Sequence, residues 1–91
     1  METVAALTNL QEPEIAQSCS VLDVNGRLMQ VKMQKPIAVG SPVKVEAEDT
    51  ISLGEVSYCI SEGEGFIVWV NLMEALHNVT ELSRLARALV N

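Results

Sequence analysis

The side chains that could support acid–base, nucleophilic or metal chemistry are few and widely separated. His77 is the single histidine, and Cys19 and Cys59 do not form a CxxC pair. A zinc site needs three or four ligands, and a nucleophile needs a base within hydrogen-bond reach; no spacing in the chain indicates either arrangement. We therefore predict no catalytic residue, no metal site and no cofactor, and we expect the protein not to be an enzyme.

The two cysteines have two alternative interpretations. Free cysteine is among the most buried residue types, which favours two structural thiols inside the fold. In the alternative, Cys19 and Cys59 face each other across the fold and act as a redox pair. Two cysteines do not make a disulfide framework.

Composition limits the classes of partner. Six basic residues oppose twelve acidic ones, for a net charge of −6, whereas nucleic-acid binding depends on Lys and Arg that neutralise phosphates. The longest apolar run, residues 66–70, is far shorter than the roughly 20 residues of a membrane span. The first residues do not resemble a secretory signal. We expect a cytoplasmic protein that binds neither nucleic acid nor membrane.

Hydrophobic alternation predicts a mainly-β fold in a single domain, residues 18–91, after a weakly structured segment, residues 1–17. Strands are predicted at residues 18–24, 27–35, 43–47, 51–60 and 66–70, because apolar residues recur there at the two-residue period of a strand or form short apolar runs. Asn25-Gly26 is a strong hairpin signal and predicts a type I′ turn. The acidic, glycine-rich residues 61–65 predict the turn of a central hairpin.

The alternation changes phase inside the central hairpin. Apolar side chains occupy the odd positions Ile51 and Leu53, and then the even positions Val56, Tyr58 and Ile60. A slip of one residue would turn every later side chain to the opposite face. A β-bulge at Gly54 would absorb the slip and bend the strand, as closure of a barrel requires.

Residues 66–70 are apolar on both faces of their strand, so one face belongs to a core and the other needs a cover. Ile67 and Trp69 are the candidate interaction patch, because an exposed apolar patch on a small domain indicates association. Two covers are possible: a second subunit, or a C-terminal helix. Capping-box-like pairs and helical spacing of leucines predict a short helical turn at residues 72–77 and a longer helix at residues 79–90.

The order of these elements resembles the PilZ domain family over residues 18–76. The best matches are the connection at residues 36–45 with Gly40, the strand at residues 53–59, and residues 65–72, which lead toward the predicted helix. The resemblance implies a small antiparallel barrel of five to six strands with a C-terminal helix. Many PilZ domains are bacterial receptors for cyclic di-GMP.

Two family motifs bind that dinucleotide: RxxxR just before the barrel, and (D/N)xSxxG in an early hairpin. Residues 1–17 contain no arginine, so the first motif is absent. Asp23, Asn25 and Gly26 stand where the second would lie, but the segment is two residues short and has Asn25 in place of serine. The resemblance thus implies these three as vestigial ligand-binding residues. Without an arginine clamp, charge-assisted contacts to the phosphates are lost.

These observations predict a non-enzymatic PilZ-like regulatory or adaptor module of bacterial signalling. It would act by protein–protein interaction, with a protein partner or a second copy of itself, and its cyclic di-GMP binding would be lost or weak. The alternative is a receptor that binds cyclic di-GMP or a related nucleotide by a mode different from the family's.

Overall fold

Antiparallel strands close into a small six-stranded barrel. The computed structural model describes residues 3–77. The strands in that range are β1 (Thr3–Asn9), β2 (Ala16–Asn25), β3 (Leu28–Met33), β4 (Pro42–Ala47), β5 (Thr50–Glu62) and β6 (Gly65–His77). Their order around the barrel is β1-β2-β3-β6-β5-β4. The predicted antiparallel barrel is confirmed.

The first strand corrects the expectation that residues 1–17 are weakly structured. β1 pairs with β2 on one side and with β4 on the other, so it is the strand that closes the barrel. Ala5 and Leu7 alternate into the interior and are 6% and 1% exposed. The alternation covers too few residues to stand out in the sequence, and only pairing on both edges makes this segment a strand.

The core is aliphatic and fills the inside of the barrel. Inward-facing residues alternate along every strand, as expected for a barrel of this size. The core side chains are Ala5, Leu7, Cys19, Met29, Val31, Met33, Ile37, Val43, Val45, Val56, Val68 and Val70. Trp69 and Tyr58 are not among them, which places the larger aromatic side chains outside the barrel.

Three hairpins share one turn geometry. Register pairs Asn25 with Leu28, Ala47 with Thr50, and Glu62 with Gly65, so each loop has two residues. The first residue of each loop has positive φ: Gly26 at 64°, Glu48 at 53° and Gly63 at 59°. A type I′ turn centred on Asn25-Gly26 was therefore the wrong prediction. The central pair is Gly26-Arg27, and only Gly26 of the two has positive φ, whereas a type I′ turn needs positive φ at both.

The long β5–β6 hairpin contains two register shifts rather than the single predicted bulge. The first lies between Leu53 and Gly54, but the extra residue is Met73 on β6, and the alternation of β5 continues unchanged through Gly54, so the predicted bulge of β5 at this position is wrong. The second lies between Val56 and Tyr58, with Ser57 as the extra residue. The change of phase within β5 therefore occurs at Ser57, three residues later than predicted.

The end of β6 corrects a second prediction. Residues 72–77 continue the strand and pair with β5 as far as Thr50, so the predicted short helical turn is wrong. The pairing energy of a long hairpin overrides the capping-box pattern, because local propensity is a weak prior. The longer predicted helix lies outside the described residues. Within residues 3–77, no helix has the length and hydrophobicity to cross a membrane.

Candidate functional site

An aromatic pair lies on the outer surface of the barrel, where β5 and β6 run side by side. The rings of Tyr58 and Trp69 are 5.4 Å apart between centroids and inclined by 55°. On β6, Val68 and Val70 point inward and are fully buried, so Trp69 between them points outward. Tyr58 is paired with Trp69 across the strands and is 55% exposed. The barrel thus presents an indole and a phenol together at its surface.

The bulge at Ser57 creates this pair. Val56 points into the core, and simple alternation would place Tyr58 and Ile60 inside with it. The extra residue reverses the phase, so these two side chains face outward and Cys59 packs against the core. The Ser57 hydroxyl donates a hydrogen bond of 3.1 Å to the Trp69 carbonyl oxygen, which ties the bulged residue to the opposite strand.

The predicted interaction residues Ile67 and Trp69 lie on the same outer face but differ in exposure. Ile67 is 3% exposed and stands apart from the interior core. In the ladder it lies between Lys32 of β3 and Ile60 of β5. Trp69 is half-buried. We call Tyr58, Ile60, Ile67 and Trp69 the Trp69 patch; Ile67 packs at one side of it, and the aromatic pair provides its accessible surface.

Charged residues of opposite sign flank the Trp69 patch. Lys32 of β3 pairs with Ile67, which lies two residues along β6 from Trp69 toward one end of the barrel. Glu55 of β5 is the neighbour of Asn71, toward the opposite end. Both side chains are exposed. Because they lie on strands on opposite sides of β6, a cation and an anion occupy diagonally opposite corners around Trp69.

The residues implied as a vestigial ligand turn lie at and beside the turn of the β2–β3 hairpin. Asp23, Asn25 and Gly26 are all exposed, and nothing lies within 4 Å of a Cβ built on Gly26. A shallow cavity of about 220 Å³ beside Gly26 is also lined by Arg27 and Glu74. Because Arg27 is accompanied in this lining by the carboxylate of Glu74, the cavity offers a phosphate little net attraction.

No disulfide joins the two cysteines in the described part of the chain. Cys19 and Cys59 are free thiols; Cys19 is buried and Cys59 is partly buried. Burial raises the pKa of the Cys19 thiol above its ordinary value, which keeps it protonated and unreactive. Among residues 3–77, no group of three or more His, Cys, Asp and Glu side chains is placed to hold a metal ion.

Sequence reasoning found Trp69 and missed its neighbour. Tyr58 shares the parity of Val56, so it was grouped with the residues on the buried side of the strand. The sequence signal for the exposure of Tyr58 is Ser57, a polar residue between two apolar ones in a strand whose apolar alternation changes phase. Comparison with models of protein families and with curated proteins finds no match.

Proposed function

We propose that the protein is a non-enzymatic PilZ-like regulatory or adaptor module that acts through protein contacts, and that the Trp69 patch binds a second copy of the chain. The observation that carries this proposal is the Tyr58–Trp69 pair on the outer face of the barrel. Tyr and Trp are enriched among the residues that supply most of the energy of protein interfaces. A phenol that is more than half exposed beside an indole gains most from burial against a partner.

The flanking charges favour a second copy as the occupant. In a two-fold symmetric interface, the same patch faces itself. When two sheets pack face to face with their strands crossing near a right angle, Lys32 of one copy comes to lie opposite Glu55 of the other, and the symmetry repeats this pair. The charge of −6 on each copy opposes association, but salt screens it beyond roughly 8 Å at physiological ionic strength.

The regulatory part of the proposal is supported by two features. The closed six-stranded barrel agrees in architecture with the PilZ resemblance. Residues 1–17, which contain no Lys or Arg, largely belong to β1 and its turn, so they supply no cationic arm beside the β2–β3 hairpin. Arg27 is the basic residue of that hairpin turn. A dianionic dinucleotide would meet one cation where the family motif supplies two.

Sedimentation equilibrium tests the proposed dimer. We expect the wild-type chain to approach twice the monomer mass between a few µM and ~100 µM, corresponding to a dimer of roughly micromolar Kd. Trp69→Ala should remain monomeric over the same range. Val4→Ala is the matched control, because Val4 is an apolar side chain of β1 that is 73% exposed; it should dimerise like the wild type. A monomeric wild type at the highest concentration would refute the dimer.

Calorimetric titration with cyclic di-GMP separates this proposal from the receptor alternative. We expect no measurable heat of binding at moderate salt. Binding with a Kd of about 1 µM or tighter would favour a nucleotide receptor, and its loss in Arg27→Ala would then place the ligand beside Gly26. Neither calorimetric result bears on dimer formation, which the sedimentation experiment tests separately.

A further inference from the structure

A second cavity lies at the end of the barrel opposite Gly26, between the β1–β2 loop and the β3–β4 connection. Its volume is about 290 Å³. Its lining includes the polar residues Asn9, Gln11, Glu12, Gln17 and Ser41 and the apolar residues Ile15 and Ile37. They come from two segments that are distant in sequence, so the cavity exists only in the folded barrel.

The β1–β2 loop forms a fixed wall of this cavity. Its backbone makes two successive turns, in which the Glu12 amide donates to the Asn9 carbonyl at 2.9 Å and the Ile15 amide donates to the Glu12 carbonyl at 3.2 Å. The Leu10 amide also donates to the Pro42 carbonyl at 2.8 Å, which joins the loop to β4. These bonds preorganise the wall, so ligand binding would not have to order it.

The β3–β4 connection forms the opposite wall and is equally held. The Gly40 amide donates to the Val56 carbonyl at 2.7 Å, and the Val56 amide donates to the Ser41 carbonyl at 3.0 Å. A third bond, from the Ser41 amide to the Ala38 carbonyl at 3.1 Å, closes the turn. Ile37 is 9% exposed and belongs to the core, so the floor of the cavity is apolar and fixed.

The lining chemistry matches a peptide better than a small anion. Gln11 and Gln17 each offer a carbonyl acceptor and an amide donor, the same pair of groups that a backbone peptide unit requires. The Asn9 side-chain oxygen already accepts a bond of 3.0 Å from the Gln11 backbone amide. Glu12 brings negative charge to the lining, and no Lys or Arg of residues 3–77 lines the cavity, so a phosphate is disfavoured.

The rim is apolar and acidic. Leu10, Ile15 and Val39 are 41%, 55% and 64% exposed in the two loops that form the walls. Glu12 and Glu14 lie exposed in the β1–β2 loop and Lys35 lies exposed in the β3–β4 connection, so two carboxylates and one ammonium leave the walls with a net charge of −1. Exposed aliphatic side chains around a preformed cavity indicate a binding surface, and the carboxylates give it a preference for cationic partners.

We propose that this cavity is a docking site for an extended peptide segment of another protein. One aliphatic side chain of the peptide enters the cavity above Ile37, its backbone bonds to Gln11 and Gln17, and a flanking Lys or Arg lies against Glu12 and Glu14. This site is separate from the Trp69 patch and does not depend on dimer formation. The two sites together would let the module pair with itself and hold a client.

Amide chemical-shift titration of the full chain tests the site with a defined probe, the peptide acetyl-Ala-Lys-Leu-Lys-Ala-amide. We expect saturable shifts at the amides of Gln11, Ile15 and Ala38 and at the Gln17 side chain, with a Kd of roughly 0.1–1 mM. Replacing the probe's leucine by glycine should weaken binding about tenfold or more. Replacing its lysines by glutamates should weaken it further at low salt.

Two variants locate the effect. Ile15→Glu should abolish the shifts, while Val4→Glu, the same replacement at an exposed aliphatic residue of β1, should leave them unchanged. Unaltered spectra without peptide establish that both variants fold. Trp69→Ala should bind the probe like the wild type, which separates this site from the dimer. Absence of saturable shifts up to ~10 mM, equal binding of the glycine probe, or shifts centred on Trp69 would each overturn the proposal.

Discussion

Gly54 of β5 and Asn71 of β6 approach each other backbone to backbone. A Cβ built on Gly54 would collide with the carbonyl oxygen of Asn71 and would lie 3.1 Å from the Cα of Leu72. This contact lies where β6 accommodates the extra residue Met73. Glycine is therefore required at position 54 because two main chains occupy the space of a side chain.

Gly54→Ala should lower the free energy of unfolding by about 3 kcal/mol, because the obstructing atoms are backbone and cannot rotate away. Urea denaturation followed by far-UV circular dichroism measures the change. Gly63→Asn is the control, since a Cβ at Gly63 meets nothing within 4 Å and asparagine tolerates positive φ; it should cost less than about 1 kcal/mol. A Gly54→Ala protein as stable as the Gly63→Asn protein would contradict the close approach.

Leu7→Ala should destabilise the protein by about 2–5 kcal/mol, the usual cost of a cavity at a buried leucine. Leu7 is 1% exposed, whereas Val4 on the same strand is 73% exposed. Val4→Ala should therefore change stability by less than about 0.5 kcal/mol. The same denaturation assay checks both. If Leu7→Ala lowered the free energy of unfolding as little as Val4→Ala does, β1 would not belong to the cooperatively folded barrel.

Glu48→Gly should stabilise the fold by several tenths of a kcal/mol up to about 1 kcal/mol. Glu48 has a φ of 53°, and an L-residue in the left-handed region is strained by roughly 1–2 kcal/mol. Glycine removes this strain, but its greater freedom in the unfolded chain offsets part of the gain in stability. Thermal unfolding measures the difference. Glu62→Gly, the same substitution at a strand position, should instead destabilise by about 0.5–1 kcal/mol. Destabilisation at both positions would refute the strain at Glu48.

The Cys19 thiol should make stability fall at alkaline pH. Burial raises its pKa above the unfolded value of 9.0, so above that pH the unfolded chain binds fewer protons than the folded chain and the free energy of unfolding decreases with pH. Below pH 9 the contribution is fully present. The stability gap between the wild type and Cys19→Ala should therefore narrow as pH rises above 9. Comparing denaturation curves at about pH 7.5 and about pH 10 tests this; an unchanged gap would contradict it.

A charge exchange tests the geometry of the proposed dimer. Lys32→Glu and Glu55→Lys should each weaken dimerisation about tenfold, because each places like charges together twice across the two-fold axis. The double variant should restore most of the affinity, and the deviation from additivity measures the coupling. Sedimentation equilibrium provides the dissociation constants. Additive losses in the double variant would exclude the crossed arrangement in which Lys32 faces Glu55.

The hairpins show how far local pattern predicts this barrel. β2, β3, β4 and most of β5 could be recognised because alternation and turn residues act within a few positions of one another. The positive φ at Gly26 and Gly63 also follows from local sequence. Local sequence does not predict that the loop residues are Gly26-Arg27 rather than Asn25-Gly26. The register between β2 and β3 along their whole length decides which two residues form the loop.

The Trp69 patch shows where local pattern fails. That residues 66–70 have two apolar faces is visible in the sequence, and it led to Trp69. The exposure of Tyr58 depends on the bulge at Ser57, and the alternation alone does not distinguish the buried Ile67 from the more exposed Trp69 on the same face. The cavity at the other end could not be found at all, since Gln17 and Ile37 become neighbours only when two loops meet.

The sequence by itself determined an antiparallel β-fold with an aliphatic core and a strand at residues 66–70 with two apolar faces, because these follow from side-chain period and the scarcity of aromatic residues. Tertiary structure alone decided that residues 3–9 close the barrel, that residues 72–77 extend β6 rather than form a helical turn, and that Tyr58 joins Trp69. In each case the deciding energy is pairing between strands distant in the chain, which outweighs local propensity and is not encoded in any single segment.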